Sequence, residues 1–82
     1  MKVTYDARHN VAYIRFREAT TGIETVRVSD ELNVDVAPDG AVYGIELLNA
    51  NEQLAGAGGR VLSIEDTVTG KRLEVAFPED AA

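Results

Sequence analysis

Two carboxylates, Asp35 and Glu46, flank the Pro38-Asp39-Gly40 turn and are the first residues whose placement carries chemical meaning. Each falls at a polar position of an alternating run. One hairpin face would therefore hold both, within a few ångströms to about 8 Å of each other. Such a pair could serve a hydrolase or hold a hard cation such as Mg²⁺. With 14 acidic residues in the chain, some pair of this kind arises by chance. A flat, exposed sheet offers no pocket, so a solvated polar face is the expectation for Asp35 and Glu46.

His9 is the only imidazole, and it falls in the polar stretch Asp6–Asn10. A metal or general-base role would need partners, and only carboxylates are at hand. An exposed loop histidine is expected instead. Tyr13, Arg15 and Arg17 alternate along one strand, and Arg27 can join them from the next. They could form a basic-aromatic patch that pairs with Asp35 and Glu46, or a partner surface, where Tyr and Arg are favoured anchors. The plainer reading is cross-strand charge pairing, worth up to about 1 kcal/mol per pair. The candidate binding face is thus Tyr13, Arg15, Arg27, Asp35 and Glu46. No Ser-His-Asp order and no Gly-x-Ser-x-Gly turn occurs, so nucleophilic catalysis has no support.

These residues need strands to position them. Leu32, Val34 and Val36 alternate with Asn33 and Asp35, and beyond the turn Tyr43, Ile45 and Leu47 alternate with Gly44 and Glu46. Pro38 sets φ at the turn, and Gly40 can take positive φ. Two registers compete. A type I turn with a glycine bulge pairs Val36 with Val42 and sets Leu32 opposite Glu46. A slip of one residue pairs Val36 with Tyr43, Val34 with Ile45 and Leu32 with Leu47. The second buries the apolar sets together and is preferred.

Upstream, Lys2–Tyr5, Val11–Arg17 and Ile23–Ser29 also alternate. The first half therefore predicts an antiparallel meander of about five strands. Asn49 or Asn51 could cap a short helix near 50–56, with Gly56 ending it. Residues 56–59 are a Gly-rich connector, without the Gly-Lys-Ser/Thr of a phosphate loop. Residues 60–77 predict a C-terminal hairpin turning at Thr69-Gly70-Lys71, and 78–82 a frayed tail. The fold class is mainly β, bordering on α+β, in a single domain over 1–82.

The chain has 82 residues and a net charge of −6. A domain this small buries roughly 60–65% of its unfolded surface, so its stability margin is thin and dimerisation is a natural supplement. The acidity disfavours a nucleic-acid backbone and an anionic membrane as partners. With no cysteine, disulfides, thiolate metal sites and cysteine nucleophiles are excluded. MKVTYDARHN has no apolar core of a signal peptide, and no apolar run approaches the roughly 18 residues of a membrane helix, so a cytoplasmic location is expected.

The segments VTYD (Val3–Asp6), AYIRF (Ala12–Phe16), VSDELNVDV (Val28–Val36) and DG-x3-GIELLNA (Asp39–Ala50) together resemble a family of short prokaryotic proteins, domain of unknown function 2283. The likeness covers about the first 50 residues. It implies no activity, cofactor or catalytic residue. Some members are encoded beside small toxin-like proteins, which makes an antitoxin-like partner of a small basic protein conceivable. The chain departs from the pattern at Asn10, where an acidic residue is usual. Residues and resemblance together predict a non-enzymatic, homodimeric protein-binding module without cofactor. The rival is a weak cation or hydrolytic site on Asp35 and Glu46.

Overall fold

The computed structural model describes residues 1–55 and 61–77. Five strands form one antiparallel sheet: β1 (Lys2–Asp6), β2 (Val11–Arg15), β3 (Glu24–Ser29), β4 (Leu32–Val36) and β5 (Val42–Leu48). A one-turn helix, α1 (Ala50–Gln53), follows. A separate hairpin of β6 (Val61–Glu65) and β7 (Arg72–Ala76) completes the described chain. The mainly-β architecture is the one predicted. The Gly-rich connector at 56–59, the expected helix end at Gly56 and the tail at 78–82 lie outside the described residues.

The strand order is β1-β2-β5-β4-β3. β3, β4 and β5 follow one another as a meander, but β2 pairs with β5 and not with β3. The connection between β2 and β3 is long enough to cross to the far edge. The longest strand, β5, thereby takes the centre, with Gly44 buried midway along it.

Alternation sorts the side chains. Val3, Ile14, Ile45, Val34 and Val26 stand opposite one another in an unbroken row across all five strands. Tyr5, Ala12, Leu47 and Leu32 form the next row on the same face. Apolar cross-strand neighbours contribute roughly 0.2–1 kcal/mol each, so these rows fix the register.

The central hairpin settles the two registers by a bulge. Leu32 faces Leu47, Val34 faces Ile45 and Asp35 faces Gly44, but Val36 faces Val42. Each register was therefore right over part of the hairpin. The expected pairing of Val36 with Tyr43 is corrected: Tyr43 is the extra residue of the bulge. Gly40, at φ 88°, closes the turn by donating its N–H to the Ala37 carbonyl at 2.9 Å.

Little of this surface is enclosed. Among the described residues the buried apolar side chains are Ala12, Ala37 and Ala50. Val26 remains 50% and Phe16 41% exposed. β6 and β7 pair Leu62 with Val75 and Ile64 with Leu73, and these four are exposed as well. The hairpin meets the sheet near β1, where the Phe77 and Tyr5 rings lie 5.8 Å apart at a tilted angle of 56°.

Candidate functional site

The polar face is organised by a row running Lys2, Arg15, Gly44, Asp35, Thr25 across the five strands. Tyr13 sits in the adjacent row, between Thr4 and Glu46. Its ring passes over Gly44, and its hydroxyl donates to Asp35 Oδ2 at 2.6 Å. A Cβ at residue 44 would collide with that phenol oxygen and with the ring carbons beside it. Only glycine leaves the ring its path.

Thr25 Oγ1 donates to the second Asp35 oxygen at 2.6 Å, so both carboxylate oxygens are engaged by neutral donors. Asn33 Nδ2 donates to Glu46 Oε1 at 2.9 Å. Partial burial, and then the bond to Asp35, push the Tyr13 phenol well above its ordinary range. The proton is held on Tyr13, where it donates to a carboxylate.

Of the candidate binding face, Tyr13 and Asp35 are in direct contact, Glu46 is the register partner of Tyr13, and Arg15 is in the same row as Asp35. The arginines do not pair with these acids as one reading expected. Arg17 forms a two-pronged bond to Asp39 at 3.0 and 3.1 Å, which holds that carboxyl below the usual carboxylate range. Arg27 pairs with Asp30, three residues on, on the edge strand. Tyr13, reaching through the Gly44 gap, takes the place at Asp35 that a cation would have filled.

His9 lies in the β1–β2 loop, with Nδ1 2.6 Å from Asp6 Oδ2, and is exposed as expected. Its side chain, and then its backbone N–H, hold the Asp6 carboxyl below the usual carboxylate range. Among the described residues no group of three or more His, Cys, Asp or Glu side chains is arranged to hold a metal. No described helix is long and apolar enough to cross a membrane.

A second polar cluster joins that loop to α1. Asn10 and Asn49 both adopt left-handed backbone, at φ 60° and 54°. Asn49 is the N-cap residue, yet its side chain makes no capping bond. Asn10 caps the helix from forty residues upstream: its side-chain oxygen accepts the Asn51 N–H at 2.6 Å, and its carbonyl accepts the Ala50 N–H at 3.1 Å. Tyr5 donates its hydroxyl to Asn51 Oδ1 at 2.5 Å, and Asn51 Nδ2 donates to the Ala7 carbonyl at 3.0 Å. Sequence reasoning saw Asn49 and Asn51 as local caps and missed Asn10 and Tyr5. The only signal was a set of asparagines at two places that the fold brings together.

No curated protein and no solved structure matches the chain. One family model does, over residues 2–51. That span takes in the whole five-stranded sheet, Tyr13, Gly44 and Asp35 with it, and the asparagine cluster as far as Asn51, while β6 and β7 fall outside. With more than half its length matched, the chain belongs to the family described as protein of unknown function, DUF2283.

Proposed function

We propose that the chain is a non-enzymatic, homodimeric protein-binding module whose open apolar sheet face is covered by a second copy. The observation that carries this reading is the row Val3–Ile14–Ile45–Val34–Val26, with exposed Phe16 nearby, on a sheet whose buried apolar side chains are alanines among the described residues. Covering such a face lowers the free energy by about 25 cal/mol per Å² of apolar surface removed from water.

The area suits a second copy. The chain exposes 6089 Å². A compact monomer of its mass exposes about 4,800 Å². The surplus, roughly 1,300 Å², leaves room for one partner's share of a standard interface, about 800 Å², beside what the separate β6–β7 hairpin exposes. An apolar face meeting its own copy across a two-fold axis needs no complementary charge, which suits a chain of net charge −6. The acids Asp35 and Glu46 lie on the opposite face, engaged by Tyr13, Thr25 and Asn33, which fits a solvated surface better than a reactive one.

Light scattering on the eluting protein at micromolar concentration tests this reading. The native chain is expected at twice its monomer mass, and Val26→Asp, at a half-exposed position, at the monomer mass with its circular dichroism retained. A native chain that stays monomeric over a wide concentration range overturns the proposal.

A further inference from the structure

The polar face holds a feature independent of the dimer. Lys2 and Arg15 are direct cross-strand partners on β1 and β2. Like charges so placed repel and destabilise a sheet unless something lies between them. In a chain with 14 acidic and 8 basic residues, a carboxylate would be the expected neighbour. Arg17, Arg27 and Arg72 each have one. Lys2 and Arg15 make no side-chain hydrogen bond or ion pair among the described residues, although Arg15 is half-buried.

The fold itself withholds the neutralising acid. Asp35 stands in the row of Lys2 and Arg15, one strand beyond Gly44. The Tyr13 ring fills the gap over Gly44 and takes Asp35 for its own hydroxyl. The cations are left facing a shallow depression of about 360 Å³, lined by Lys2, Thr4, Tyr13, Arg15 and Tyr43.

Tyr43 is there because of the bulge. As the unpaired residue between Val42 and Gly44, it sits on the polar side and lines the depression with Tyr13, instead of continuing the apolar set of Ile45 and Leu47. Bulges commonly re-aim a side chain beside a functional site. The depression is therefore lined by residues that carry an ammonium (Lys2), a guanidinium (Arg15) and hydroxyls (Thr4 and Tyr43). All of these can donate hydrogen bonds, and the guanidinium presents a planar fork.

We propose that this depression binds a doubly charged oxyanion of the phosphate type, bridging Lys2 and Arg15 and accepting from Thr4 and Tyr43. Two opposed cations match two negative charges, and the flanking hydroxyls reach the remaining oxygens. A bound dianion also removes the repulsion between the two strands. The opposite face supplies the proposed dimer contact, so failure of either idea leaves the other standing.

Inorganic phosphate, titrated at constant ionic strength into the native chain and followed by amide chemical shifts, tests the site. Saturable shifts are expected at Lys2, Thr4, Arg15 and Tyr43. Arg15→Gln is expected to weaken apparent affinity about tenfold or more, and Arg72→Gln, on β7 outside the depression, to leave it unchanged. Tyr43→Phe, which keeps the ring and removes only the hydroxyl, is expected to weaken it less. Shifts that do not saturate, that acetate or chloride reproduces at equal ionic strength, or that survive Arg15→Gln overturn the proposal.

Discussion

Gly44 and Tyr13 work as a pair. The glycine is buried at the centre of β5 because the phenol ring needs the space its side chain would fill. Gly44→Ala is expected to cost about 1–3 kcal/mol, the range of overpacked sites, since ring or strand must shift. Denaturant unfolding measures it. In a Tyr13→Ala background the same substitution is expected to cost clearly less, because the obstructing ring is gone.

The Tyr13 hydroxyl supplies a test by pH. Its folded value lies above its unfolded one, so its contribution to stability is fully present below the ordinary phenol range, near 10, and is lost as pH rises through the folded value. Absorbance of tyrosinate is expected to show one of the three tyrosines titrating well after the ordinary range. Tyr13→Phe removes that late phase. If the late phase persists in the variant, the Tyr13–Asp35 bond is not its source. None of this was legible in the sequence, where Gly44 reads as a weak strand residue and Tyr13 as one more aromatic. The contact depends on which strand lies beside β5, and that is not a local property.

At the scale of elements, α1 depends on the β1–β2 loop. Four residues make too short a helix to persist alone, and its first N–H groups are met by Asn10. Asn10→Ala removes the side-chain acceptor of the Asn51 N–H and sets alanine in left-handed backbone, at an expected cost of about 1–2 kcal/mol. Asn10→Asp, the kind of residue the family resemblance leads one to expect there, keeps an acceptor for the Asn51 N–H and is expected to cost less. Thermal unfolding of the two variants side by side measures the difference. Equal losses would show that the long-range cap contributes little.

The elements themselves were largely legible. Two-residue alternation in VAYIR, ETVRVS, LNVDV and VYGIELL comes from the pleat and needs no tertiary knowledge. The Pro-Asp-Gly turn was equally plain. The pairing of β2 with β5 was not, because it joins segments about thirty residues apart. The bulge at Tyr43 was hidden for a related reason: two registers each satisfied part of the pattern, and an inserted residue let both hold. One reading of the sequence paired Arg17 and Arg27 with Asp35 and Glu46. They found Asp39 and Asp30 because a turn and a neighbouring corner brought those acids closer.

At the scale of the molecule, the two faces of the sheet divide the work. One carries the hydroxyls, amides and charges of the polar rows, the other an apolar surface broader than the chain encloses by itself. A mixed sample, half isotope-labelled and half not, tests that division most directly through inter-chain cross-peaks. The account predicts such peaks among Phe16, Val26, Val34 and Ile45, and none at Thr25 or Asn33. Inter-chain peaks confined to the polar rows, or none at concentrations well above micromolar, would contradict it.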